Sequence, residues 1–307
     1  MIKVADIMYV RVRAPDLDQM EEFLIDFGLH RSARTDNALY MRGSDPDHHL
    51  HITEIGEPGL IGFAFQAATE DDLEKAAAME GASGIENIDE PGGGKRVSLT
   101  DPAGFKVEIV AGIERLAPLE VPRRKINTGS ERTRFGTLIR TKTAPAKIKR
   151  LGHCVLKCTD FSKVCGWYRT SLGMIPSDVG YADDPDELVI AFLRCDRGDK
   201  HVDHHSLLPF QADQSGLHHA AFEVEDVNEI WLGHEHLKDR KKYIHDWGIG
   251  RHILGSQIFD YWQDPWGHGM EHWTDGDLLD GSHKTEKHPM SVILGSQWGP
   301  AAPPPPE

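Results

Sequence analysis

The run DIMYVRV from Asp6 alternates with period two and predicts a strand. In the LDQMEEFLIDF that follows, Leu17, Met20, Phe23, Leu24 and Phe27 share one helical face. Asp16 stands at the N-cap of that helix and Gly28 at its stop. ALYMRG and HHLHITEI then read as strands meeting at a polar turn. The order resumes with IGFAFQA, a helix through DDLEKAAAME, then KRVSLTD, the turn DPAG, and FKVEIV. Farther along, the same order runs HCVLKC, VCGWYRTSL, VIAFLRC, DHHSLLPF, HHAAFEV, a helix through VNEIWLGHEHL, FDYWQD and HGMEHW. Strand-rich units with single helices predict an α+β architecture.

The two halves are a duplication. VSLTDPAGFKVEIV and DYWQDPWGHGMEHW align on their DPxG turns, which sets Glu108 opposite Glu271. GLIGFAFQA and GLHHAAFEV set Gly62 opposite His219, and the first strands set Tyr9 opposite His153. Asp47-His48-His49 parallels Asp203-His204-His205. The offset between partners grows along the chain, as insertions in the second copy require. The expected organisation is an N-terminal module pair over 1–112, a linker over 113–147, a C-terminal module pair over 148–280, and a tail over 281–307. Pro-rich sequence after Trp298 predicts an extended, mobile end.

Charge narrows the function classes. The formal net charge of −15 argues against a nucleic-acid partner. A local exception lies between Arg123 and Arg150, where ten Lys or Arg face the single acid Glu131. Phe135 is its only aromatic residue, so a solvated connector, or a segment docking on an acidic neighbouring subunit, fits better than a nucleic-acid site. No stretch is long and apolar enough to span a bilayer, and MIKVADIMYVRV lacks the apolar core of a secretory signal. The four cysteines, Cys154, Cys158, Cys165 and Cys195, do not make a disulfide framework in a chain of 307 residues. A reduced, cytoplasmic protein without membrane partners is expected.

Eighteen histidines direct attention to metal chemistry. His153 and His219 sit near strand starts in the second copy, and Glu271 lies on its last strand. Two neutral imidazoles and one carboxylate on one face make a facial triad with open positions, the set suited to non-haem Fe(II). Manganese(II) is the alternative that the same N and O donors suit. Tyr9, Gly62 and Glu108 occupy the equivalent places in the first copy, which should therefore bind no metal. His218 adjoins His219 and should point to the other sheet face if the strand is regular.

The segment GRHILGSQIFDYWQDPWGHGME, residues 250–271, resembles the signature of the type I extradiol ring-cleavage dioxygenases. These belong to the vicinal oxygen chelate superfamily, whose duplicated domains are built from paired βαβββ modules. FLRCDRG, DHHSLLPF and GLHHAAFEV fit the same layout, and the first copy resembles the family's catalytically silent module. The resemblance implies metal ligands at His153, His219 and Glu271, with ferrous iron as the metal. It implies an acid–base role for His205, whose neighbour is His204, and places His252 and Tyr261 beside the substrate hydroxyls. It implies a catechol-type substrate and dioxygen as partners, with cleavage beside the two hydroxylated carbons to a 2-hydroxymuconate-semialdehyde type of product. A homo-oligomer is also implied. Glyoxalase-like isomerases or transferases and ligand-sequestering proteins share the fold and are the alternatives.

Overall fold

The computed structural model describes residues 2–303. The alternating start forms β1 (Val4–Ala14), and the helical stripe forms α1 (Leu17–Phe27), burying Met20, Phe23, Leu24 and Phe27. The Asp16 carboxylate accepts from the backbone N–H groups of Asp18 and Gln19, capping the helix as expected. Gly28 ends it with a left-handed φ of 119°, and a Cβ there would lie 2.1 Å from the carbonyl oxygen of Ala146. β2 (His30–Arg34), β3 (Ala38–Arg42) and β4 (His51–Ile55) complete one βαβββ module. β5 (Gly59–Ala67), α2 (Glu70–Ala77), β6 (Glu86–Asn87), β7 (Lys95–Thr100) and β8 (Lys106–Ala111) make the next. Their strands form one sheet in the order β2-β3-β4-β1-β5-β8-β7-β6.

The second half repeats this plan. It contains β9 (Ile148–Cys158), α3 (Phe161–Ser171), β10 (Ile175–Tyr181), β11 (Leu188–Arg194), β12 (Val202–Asp203) and β13 (Leu207–Gln211). Then come β14 (Gly216–Val224), α4 (Val227–Arg240), β15 (Ile244–His252), β16 (Ile258–Gln263) and β17 (Gly269–Thr274). The chain continues through β18 (Leu278–Leu279), β19 (Glu286–Pro289), α5 (Met290–Ile293) and β20 (Ser296–Trp298). The second sheet runs β19-β10-β11-β13-β9-β14-β17-β16-β15-β20, so residues after 280 supply both of its edges. The end beyond Trp298 forms no helix or strand as far as residue 303, and residues 304–307 lie outside the described residues.

Strand register establishes the duplication residue by residue. In the first sheet Tyr9 pairs with Ala64, which pairs with Glu108. In the second, His153 pairs with Ala221, which pairs with Glu271. Gly62 pairs with Lys106 where His219 pairs with Gly269. One large apolar cluster runs through both halves, and a smaller one lies on the other face of each sheet. Phe27 of α1 packs against Phe222 of β14, and Tyr168 of α3 packs against Phe65 of β5. Each half thus presses a helix onto the sheet of the other. Among the described residues, no helix is long and apolar enough to cross a membrane.

The basic segment docks within its own chain. Arg124 reaches Glu229 at 2.5 Å and Asp226 at 3.5 Å, and Lys149 reaches Glu225 at 3.1 Å. These acids surround the N-terminus of α4, where the helix dipole attracts their negative charge and the basic segment neutralises it.

Candidate metal centre

Three neighbouring strands of the second sheet bring His153 (β9), His219 (β14) and Glu271 (β17) together. The Nε2 atoms of both histidines lie 3.2 Å from Glu271 Oε2. All three side chains are buried, Glu271 completely. Yet both Glu271 oxygens and His219 Nε2 lack a hydrogen-bond partner of acceptable geometry. Buried polar atoms are normally paired, because stranding one costs about 1–3 kcal/mol. Imidazole lone pairs and a carboxylate converging at this spacing fit a divalent cation, which satisfies all of them at once. Burial raises the Glu271 carboxyl, but His153 and His219 outweigh it and hold the group well below the usual carboxylate range. Burial, partly offset by Glu271, lowers His219 and favours the neutral, metal-binding imidazole.

The first sheet forms the same frame with different occupants. Tyr9 donates its hydroxyl to Glu108 at 3.0 Å. Lys106 Nζ lies 2.8 Å from Glu108, Arg96 Nη1 3.1 Å and Arg11 Nε 3.4 Å. Fixed side-chain cations surround this carboxylate. At Gly62 a Cβ would lie 1.8 Å from the Lys106 carbonyl oxygen, so no imidazole fits the place that His219 takes in the second sheet. No potential metal-binding group among the described residues includes Glu108.

Around the His153 cluster, the structure gathers the other residues singled out in the sequence. The His205 ring is buried, 4.1 Å from the ring of His153. His252 Nε2 and the Tyr261 hydroxyl share a hydrogen bond of 2.9 Å, and His252 Nε2 lies 3.9 Å from Glu271 Oε1. Tyr261 stands 5.0 Å from the His219 ring. Phe259 stacks on His252 at 4.0 Å, and Trp247 stacks on Tyr261 at 5.5 Å. Burial pushes His252 down to about 4, with Glu271 opposing and His219 adding to the fall. Burial also lowers His205, reinforced by His153 and His204.

Two details were not legible in the sequence. A break in register between Leu217 and His219 prevents the regular alternation expected of His218. Its Nδ1 instead lies 2.7 Å from His219 Nδ1, and its ring packs against Phe210. The second is a polar chain behind His205. His205 Nδ1 lies 3.1 Å from His204 Nδ1, and His204 Nε2 lies 2.8 Å from Asp178 Oδ2. Asp178 Oδ1 lies 3.0 Å from His288 Nε2. The DHHS motif pointed to His204, but nothing near Asp178 or in the expected tail marked Asp178 and His288 as its partners.

Known proteins resemble this chain over most of its length. A curated relative, metapyrocatechase 2 from Cupriavidus necator, is 30% identical over 303 residues, covering 98% of this chain and 90% of its own. The manganese-dependent 2,3-dihydroxybiphenyl 1,2-dioxygenase of Geobacillus genomosp. 3 is 23% identical, covering 90% of this chain and 87% of its own. The solved Mn(II)-bound glyoxalase from Novosphingobium aromaticivorans superposes with a TM-score of 0.80 at 22% identity, covering 100% of this chain and 96% of its own. The model of the glyoxalase/bleomycin resistance protein/dioxygenase superfamily matches twice, at residues 6–109 and 150–271, once on each copy. With a family match on each copy, together covering most of its length, this chain belongs to that superfamily.

Proposed function

We propose that the chain is an extradiol dioxygenase that opens a catechol-type ring with dioxygen at a non-haem metal held by His153, His219 and Glu271. The observation that carries this reading is the buried set of imidazole and carboxylate atoms 3.2 Å apart in the second copy, with both Glu271 oxygens and His219 Nε2 unpaired. A ferrous ion held by these residues, or manganese(II) in its place, would supply the Lewis-acid and redox chemistry that a diol and dioxygen require.

The remaining residues manage protons and position the diol. Asp178 can only accept, so His204 donates to it from Nε2 and is left with a lone pair on Nδ1. His205 must then donate from Nδ1, leaving its Nε2 unprotonated. A neutral His205 is thus held as a base with its free nitrogen available to the diol, and it returns the proton later in the cycle. His252 and Tyr261 hydrogen-bond the diol oxygens and the charge that develops on them. Phe259 and Trp247 keep their rings close to these two groups and limit their freedom. Ring opening falls beside the hydroxylated carbons and yields a 2-hydroxymuconate-semialdehyde type of compound.

The organisation proposed is a supporting module pair over 1–112, a linker over 113–147, a catalytic pair over 148–280, and a final segment over 281–307. The linker exposes Phe135 and Leu138, which supports a homo-oligomer. Four free, buried cysteines support a cytoplasmic location. Protein loaded with ferrous iron without air, offered catechols of increasing size, should take up dioxygen and release a yellow ring-opened product. Absence of uptake from protein verified to hold its iron would overturn the dioxygenase reading in favour of glyoxalase-like chemistry.

A further inference from the structure

The helix-bearing face of the second sheet carries another group of metal-binding side chains. His234 on α4, His245 on β15 and Asp260 on β16 each offer one ligating atom, all within 4.8 Å of one another. His245 Nε2 lies 2.8 Å from Asp260 Oδ1, and His234 Nδ1 lies 3.2 Å from both Asp260 oxygens. The two imidazole rings meet at 4.8 Å and at right angles. Asp260 neighbours Tyr261 on β16, so alternation turns it away from the His153 cluster. Trp262 Nε1 donates to Asp260 Oδ2 at 2.6 Å, which leaves Oδ1 directed at the histidines.

The first copy again serves as a control. Ser98 pairs with Glu108 as Tyr261 pairs with Glu271, so Val97 stands where Asp260 stands, Leu99 where Trp262 stands, and Ile109 where His272 stands. All three first-copy residues are buried and apolar. An apolar contact between helix and sheet in one copy is therefore a carboxylate with two imidazoles in the other. Asp260 is completely buried, and a buried charge costs several kcal/mol unless it is compensated. A divalent cation held between Asp260 and the two imidazoles would supply that compensation.

We propose that His234, His245 and Asp260 form a second divalent-cation site, of the zinc class, that pins α4 to the β15–β16 hairpin. Two imidazoles and one carboxylate are a zinc-type donor set. Donor atoms sharing a tetrahedral zinc with bonds of about 2.0–2.1 Å stand about 3.3 Å apart, close to the 3.2 Å between His234 Nδ1 and Asp260 and somewhat above the 2.8 Å between His245 Nε2 and Asp260. The exposed His245 ring provides an entry path and a side for a water ligand. The pinned strands carry His252 and Tyr261, so the ion would stiffen one wall of the other centre without touching it.

The test is metal content and stability, read independently of turnover. Iron-loaded protein soaked in zinc and desalted should retain one zinc per chain beside its iron, and His245→Gln should retain iron only. Glu271→Gln, which disables the first centre, should still hold one zinc and gain thermal stability from it. Glu271→Gln combined with His245→Gln should lose both the zinc and the stability gain. His245 is exposed, so its replacement leaves the fold intact, whereas Asp260→Asn risks misfolding. Equal zinc retention with and without His245, whether one ion or none, would overturn the site. Failure of dioxygen uptake would leave this result unaffected.

Discussion

Two glutamates in equivalent register show how neighbours decide what a carboxylate does. Glu271 faces imidazole nitrogens and lacks protein donors of proper geometry, whereas Glu108 faces Lys106, Arg96, Arg11 and the Tyr9 hydroxyl. Glu271→Ala and His153→Ala should therefore lose the bound metal together with activity, as metal analysis of the desalted protein will read. Glu108→Gln should leave metal content unchanged. It should also destabilise the fold by about 1 kcal/mol, because Arg11 loses its contact with Glu108 but keeps Glu54 and Glu90, each at 2.7 Å. A fall in iron stoichiometry in that variant would place a second metal in the first copy. His205→Ala should keep metal and bind substrate, while kcat drops by about 10²–10⁴-fold, the ordinary worth of a positioned base. Wild-type turnover at saturating dioxygen would remove His205 from the proton path.

Elements that bury one clean face were legible in the sequence, and those whose partners lie far away were not. α1 could be bounded from Asp16 to Gly28 because its cap, its stripe and its stop are all local. The strands bearing His153, His219 and Glu271 were legible because the duplication supplied a second reading of each. β10 and β15 were missed. β10 reads IPSDVGY, with a proline, and β15 reads IHDWGIGRH, with two glycines, so neither shows a clear period. β19 pairs with β10 only after the chain has travelled more than a hundred residues, a contact that no local pattern announces. The linker's basic run was legible as charge, but its partner was not, since Glu225, Asp226 and Glu229 sit at the start of α4. Arg124→Ala strands the buried Glu229 beside only the Lys147 backbone N–H. That substitution should cost about 2 kcal/mol of stability and speed tryptic cleavage of the linker. An unchanged cleavage rate would mean that the segment is held by other contacts.

At the scale of the molecule, the two halves are joined by a core and by several polar contacts, among them a junction around Asp26 that pH can address. Asp26 on α1 is buried against the far half. It accepts from Arg240 at 2.6 Å, from the Tyr243 hydroxyl at 2.7 Å and from His236 at 3.1 Å. Lys242 adds charge at 3.8 Å. Burial raises the Asp26 carboxyl, but these donors outweigh it and hold the group below its ordinary value. A carboxylate whose pKa falls on folding stabilises the native state above its unfolded pKa, about 3.9, and that stabilisation is lost as pH drops through the lower folded value. Asp26→Asn should therefore cost about 2 kcal/mol at neutral pH, as charge-assisted hydrogen bonds become neutral ones. The difference between the variant and the parent in urea unfolding should stay constant from pH 8 to pH 5 and begin to close only below about pH 4. A difference that already closes above pH 5 would mean that the Asp26 carboxylate does not carry the junction's energy. The unfolding transition should remain single in both proteins, because the apolar core that Asp26 borders is continuous across the halves.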